Sequence, residues 1–249
     1  MTRRARWVPR EHGAWAILAV PFLLGIAAAG AVPAHALLAV AAVSAYLFSV
    51  SAVEWLRRRQ EADRRPATVF GVMLAASGIP LLAWWPELLV VGGAVTVLAG
   101  VAVALTLSGH PRSVLVSLVE IGQAVALVPA AATVAGSLGE PATWHAAVAA
   151  AIYLVGTVLL VRSMIRARGN PWFVAGSIGF HALGAVVAAA ILPWPYALFA
   201  AALLARAITL PAIASRQADR GWRLRPIHIG AIEIVASTAL VLLAFGVGF

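Results

Sequence analysis

The feature that most constrains this chain is the recurrence, from end to end, of apolar stretches of about 20 residues. Each is long enough to cross a hydrocarbon core of roughly 30 Å. Of the 249 residues, 63% are hydrophobic and only 11% are charged, with a mean hydropathy of +0.96. Soluble domains run closer to half apolar and a quarter charged. No stretch is left over for a separate soluble domain. Residues 1–249 therefore read as a single transmembrane domain, an all-α polytopic helical bundle.

Nine spans are expected, at 13–32, 35–55, 68–85, 88–107, 114–135, 144–163, 172–192, 195–213 and 227–249. Pro33, Pro66, Pro86, Pro111, Pro141, Pro171, Pro193, Pro195 and Pro226 mark the breaks, because the residue before a proline disfavours helix. Thr2-Arg3-Arg4 ahead of an apolar run resembles a secretory leader. That run is longer than the roughly 7–15 residues of a leader's apolar region, so it reads as the first anchor.

Net charge is +9 and all 18 basic residues are Arg. A basic balance can point to nucleic acid. Here the arginines fall in short loops: Arg3 to Arg10, Arg57 to Arg65, Arg112, Arg162 to Arg168, and Arg206 to Arg225. With nine spans all of them lie on one side, which gives a cytoplasmic N-terminus and an outer C-terminus. Membrane lipid is the expected partner, nucleic acid is not, and the expected location is the inner membrane of a bacterium. Trp84, Trp85, Trp144 and Trp194 would form an outer aromatic belt, and Trp7, Trp55, Trp172 and Trp222 an inner one. Lys and Cys are absent. That excludes Schiff-base lysines, thiol nucleophiles, disulfides and cysteine-held metals.

A weak period of four helices is visible. Spans one, five and nine each open with Pro and Arg and carry Glu11, Glu120 or Glu233 within about three turns. Ionisable groups inside spans cost roughly 2.5–3.5 kcal/mol at the helix centre on insertion scales, so each needs a reason. Ser113, Ser117, Glu120 and Ala124 share one helical face, and Pro226, Gly230, Glu233 and Ser237 another. Small and polar faces pack inward in membranes. The two carboxylates are then functional, or they are structural partners of an arginine such as Arg206 or Arg162.

His181 lies on the face Ser177-His181-Gly184-Ala188. It reads as a neutral histidine bonded across helices, a metal ligand or a proton relay. Glu11 and His12 stand at the start of span one, where a carboxylate also suits the helix dipole. Gly13 would admit a close neighbour, with Trp15 as an apolar wall. Glu11, His12, Glu120 and Glu233 are the catalytic candidates. The segment from Glu54 to Pro66 holds three acids and five arginines. It is a positive-inside loop or an anionic head-group site, with Asn170 beside Arg166 and Arg168 as a second lobe. Substrate-binding candidates are Glu54, Arg57, Arg64, Arg65, Arg162, Arg166, His181, Arg206 and His228. No metal set is identified.

Pro9-Arg10-Glu11-His12-Gly13-Ala14-Trp15, with the following Ala19-Val20-Pro21, resembles the YwiC-like family of bacterial membrane proteins. The Arg225-Pro226 to Glu233 segment resembles it too. The resemblance implies a membrane class and no reaction. The nine-helix plan, with charged loops after spans two and six, is also similar to the UbiA-type intramembrane prenyltransferases. That likeness implies Mg²⁺ and a prenyl diphosphate held by two Asp-rich loops beside a lipid-open cavity. Here only Glu54, Glu61 and Asp63, flanked by Arg64 and Arg65, match the first loop, and the stretch from Arg162 to Asn170 holds no acid.

Three readings follow. The first is an intramembrane transferase or a degenerate relative, in which Glu120 and Glu233 converge on one cavity of several hundred Å³. The second is a proton-coupled transporter with a Glu/His relay. The third is a non-catalytic lipid-binding scaffold. Enzymatic activity is left open.

Overall fold

The computed structural model describes residue 7 and residues 12–111, 113–219 and 226–249, and over these it is helical with no strand. The helices are α1 (His12–Ala29), α2 (Ala34–Arg58), α3 (Glu61–Trp84), α4 (Leu88–Leu107), α5 (Val114–Val125), α6 (Leu127–Ala135), α7 (Pro141–Ile165), α8 (Pro171–Ile191), α9 (Trp194–Asp219) and α10 (Pro226–Val247). Counting α5 and α6 as one, eight spans among the described residues are long and apolar enough to cross a membrane. α1, where a first span is expected, has a shorter apolar part, Trp15–Ala29.

Large apolar side chains such as Val72, Ile79, Leu89, Val90, Leu183 and Val235 are exposed along these helices. In water so much exposed apolar surface is an aggregation hazard; in a bilayer it is the lipid-facing surface. Trp84, Trp144, Trp172 and Trp194 are also exposed and sit at or near helix ends, as interfacial tryptophans do. The chain is an integral membrane protein.

Packing groups the helices into two compact units, Met1–Thr143 and Trp144–Phe249. In unit one, α2 lies along α3, α1 along α5 and α6, and α4 along α5. Its core holds Leu38, Ala41, Leu81, Leu88, Ala130, Ala131 and Val134. Small residues bring α1 and α6 close together: a Cβ at Gly25 would stand 2.8 Å from the Ala131 Cβ and 3.0 Å from the Val128 Cα. His35 joins α2 to α6, its Nε2 donating to the Ala131 carbonyl at 3.0 Å while Nδ1 accepts from the Val32 N–H. Unit two holds α8, α9, α10 and nearly all of α7. There α8 lies along α9, and Leu160, Met164 and Ile229 form a buried cluster between α7 and α10.

Four local expectations change. The arginine-rich stretch from Glu54 to Pro66 is not a loop. α2 runs on to Arg58, Arg59 turns the chain in the left-handed region (φ 54), and α3 begins at Glu61. Glu61 and Asp63 fill the first turn of α3, where carboxylates favour the positive end of the helix. Pro66 is carried inside it. Span five is interrupted at Ala126, because Pro129 has no N–H for the Val125 carbonyl and its ring crowds that carbonyl.

Asn170 caps α8: its Oδ1 accepts the Phe173 N–H at 3.2 Å, with Pro171 at the first helical position. Finally, α9 runs on to Asp219, so Arg206 sits midway along a 26-residue helix rather than at its end.

Candidate functional site

Unit two gathers polar side chains from all four of its helices. Tyr153 and His181 lie at the midpoints of α7 and α8, and Arg206 midway along α9. Glu233 lies about 10 Å past the start of α10 at 1.5 Å per residue. Arg206 Nη1 donates to Glu233 Oε1 at 2.8 Å, with side chains only 11% and 15% exposed. Thr157 Oγ1 donates to Glu233 Oε2 at 2.9 Å, and the Tyr153 hydroxyl lies 3.1 Å from the Glu233 carbonyl and 3.4 Å from Oε2. Ser237 Oγ donates to the Glu233 carbonyl at 2.7 Å. Both carboxylate oxygens are thus engaged, by side chains of α7 and α9.

The pair of Glu233 with Arg206 is the structural alternative named above. A buried ion pair stands only when its remaining lone pairs are also satisfied. Thr157 and Tyr153 do that for the carboxylate. Arg206 is less fully used: its Nε and Nη2 are buried and have no hydrogen-bond partner among the described residues.

His181 is where its small-residue face placed it, with Ser177, Gly184 and Ala188 also buried. Its bond is not across helices. Nδ1 donates to the Ser177 carbonyl, one turn back on α8, at 2.7 Å. A carbonyl only accepts, so in the neutral ring Nε2 is left as an acceptor. Nε2 is buried without a hydrogen-bond partner among the described residues and faces Gly156 of α7, where a Cβ would stand 2.9 Å away. Arg206 and Glu233 act on the ring electrostatically. The cavity beside Tyr153 is about 10 Å³ and apolar, lined by Leu203, Leu240, Phe199 and their neighbours.

In unit one the other candidates divide. A cavity of about 160 Å³ is lined by Glu54, Arg57 and Arg58 at the end of α2. Glu54 pairs with Arg58 at 3.2 Å, and Glu61 with Arg64 at 3.4 Å. Arg57 and Arg65 are exposed. Asp63 is 6% exposed, and its Oδ2 has no partner among the described residues. The implied Mg²⁺ does not fit this donor set. Two of the three acids are turned onto arginines, and among the described residues no group of three His, Asp or Glu side chains is placed to hold a metal.

Glu120 is exposed on α5, whose buried positions are Val116, Val119, Ile121 and Ala124. Of the face read as inward, only Ala124 is buried. His12 opens α1, and Glu11 lies outside the described residues. A Cβ at Gly13 would meet no described atom within 4 Å, and Trp15 packs edge-on against Tyr46 of α2. Arg162 lies in the last turn of α7, while Arg166 and His228 are exposed.

Tyr153, Thr157 and Ser237 were not among the sequence candidates. The signal for the first two was a pair of hydroxyl side chains one turn apart in the apolar middle of α7.

The YwiC-like protein family model matches residues 8–132, just over half of the chain. The chain belongs to the YwiC-like family. No curated protein and no solved structure matches it. The match takes in the Glu11-His12 segment, the arginine-rich turn between α2 and α3, and Glu120. The buried cluster of this YwiC-like chain, on α7 to α10, lies beyond the matched residues.

Proposed function

We propose that this integral membrane protein holds a phosphate-bearing lipid, of the prenyl diphosphate or anionic phospholipid kind, at the cytoplasmic end of α2 and α3. In this reading it is an intramembrane transferase or a degenerate relative of one, with Glu11, His12 and Glu120 as its remaining catalytic candidates. The observation that carries it is the cavity of about 160 Å³ lined by Glu54, Arg57 and Arg58. A guanidinium presents a planar fork of donors matched to phosphate oxygens. The acids here answer only part of the positive charge: Glu54 engages Arg58 and Glu61 engages Arg64. Arg57, Arg59 and Arg65 are left exposed. Binding rests on the arginines and on no metal.

The test is direct titration of the purified protein with inorganic pyrophosphate and with nanodiscs containing anionic or zwitterionic lipid. Saturable binding to pyrophosphate or anionic lipid is expected, weakened at least tenfold in Arg57→Gln/Arg58→Gln. Equal binding by the variant and the wild type overturns the reading. Turnover of a prenyl diphosphate separates a transferase from a lipid-binding scaffold at the same cavity. The second reading, proton-coupled transport, is favoured by the mid-helix pair of Arg206 and Glu233, since charges at that depth mark ion or proton pathways in membrane proteins.

A further inference from the structure

The cavity of about 160 Å³ at the end of α2 is walled by an acid as well as by bases: Glu54 lines it together with Arg57 and Arg58. The three lie at i, i+3 and i+4, on one face at the end of α2, where neighbouring Cβ atoms stand about 5–6 Å apart. Glu54 is only half committed. Its Oε1 accepts from Arg58 Nη2 at 3.2 Å, and among the described residues Oε2 has no bond. The side chain is 27% exposed and borders the cavity, so a ligand seated there meets a carboxylate.

An anion in this cavity competes with Glu54 for Arg58. A repulsive element of this kind sorts ligands. A phosphate with no hydrogen-bond donor nearby sets its oxygens against those of Glu54. A head group that carries a hydroxyl beside its phosphate uses the same carboxylate as an acceptor.

We propose that the cavity selects a phosphodiester lipid with a polyol head group of the glycerol kind. Its phosphate lies on Arg57 and the remaining N–H groups of Arg58, and a hydroxyl donates to Glu54. This rests on the reading of the cavity as a phosphate site and narrows it. Two guanidinium groups less one carboxylate leave one positive charge on the lining. A phosphodiester answers that charge. A diphosphate or a phosphate monoester brings more negative charge than the lining can answer. An ethanolamine head group, whose ammonium cancels its phosphate, leaves the lining's charge unanswered. Size agrees: about 160 Å³ is less than the roughly 300–1,000 Å³ of pockets that enclose a whole drug-sized ligand. The head group enters, and the acyl chains stay in the bilayer.

Phosphatidylglycerol and phosphatidylmethanol carry the same single charge, and only the first has head-group hydroxyls. Each is titrated calorimetrically into the full-length protein in micelles of a zwitterionic detergent, beside phosphatidylethanolamine and phosphatidate. Phosphatidylglycerol is expected to bind at least about tenfold more tightly than phosphatidylmethanol, the scale of one hydrogen bond to a charged acceptor. Glu54→Gln is expected to bring that ratio to about threefold or less, because a neutral amide is the weaker acceptor. Glu61→Gln removes the same charge outside the cavity lining and is expected to leave the ratio as it is. Each substitution loosens one ion pair between partly exposed side chains, on which a fold depends little.

The proposal is overturned if the wild type binds phosphatidylglycerol and phosphatidylmethanol alike, if phosphatidylethanolamine or phosphatidate binds more tightly than phosphatidylglycerol, or if Glu54→Gln keeps the wild-type ratio. Each of these outcomes leaves anionic lipid on the arginines and the phosphate reading intact. Absence of binding by every anionic lipid removes that reading and this inference with it.

Discussion

Glu233 shows at the scale of one residue how a carboxylate is kept charged among apolar helices. Arg206 supplies the opposite charge, while Thr157 and Tyr153 satisfy the second oxygen. Removing one partner strands the other, which for a buried pair costs about 3–5 kcal/mol. Glu233→Gln is therefore expected to destabilise the protein by about that much, and Arg206→Gln/Glu233→Gln by clearly less. Reversible unfolding in mixed micelles measures both. Equal losses for the single and the double variant would mean that the pair is not the stabilising unit. Part of this site was legible in the sequence. His181 showed its face through Ser177, Gly184 and Ala188 at helical spacing, and Arg206 was named as a partner for Glu233. The bonds of Tyr153 and Thr157 to Glu233 were not legible, because a hydroxyl among apolar residues does not announce which neighbour it will meet.

Among the elements, the turn between α2 and α3 departs furthest from its reading. Reading proline as a boundary places the start of span three after Pro66. Pro66 is the sixth residue of α3, so it forfeits the bond to the Ala62 carbonyl, yet the helix starts at Glu61, where the acids Glu61 and Asp63 favour a start. The same rule missed the break at Ala126, where Pro129 interrupts a span from within. Both errors arise because proline acts through the carbonyl four residues earlier, whose setting sequence alone does not reveal.

Helix contacts follow small residues more dependably. Gly25 stands where α1 meets α6, with backbone atoms of Val128 at 3.0 and 3.1 Å from an added Cβ. Gly25→Ala gains about 1 kcal/mol of helix propensity and incurs an overpacking penalty of about 1–3 kcal/mol. A net loss is expected in thermal unfolding, because rigid backbone cannot yield as a side chain can. A stabilised variant would contradict this close approach.

For the whole molecule, the eight long apolar spans among the described residues were legible because the bilayer allows few alternatives to a helix of about 20 apolar residues. The division at Thr143 was not, since composition is uniform across it and the units differ only in which helices pack together. Unit one carries all of the family match and the arginine cavity; unit two carries the buried cluster. The central claim is that the arginine cavity holds a phosphate-bearing lipid. Native mass spectrometry of the purified full-length protein, gently released from detergent, tests it most directly. The account predicts a retained adduct with the mass of an anionic phospholipid or a prenyl phosphate, lost in Arg57→Gln/Arg58→Gln. A bare protein mass, or adducts of zwitterionic lipid alone that persist unchanged in that variant, would contradict it.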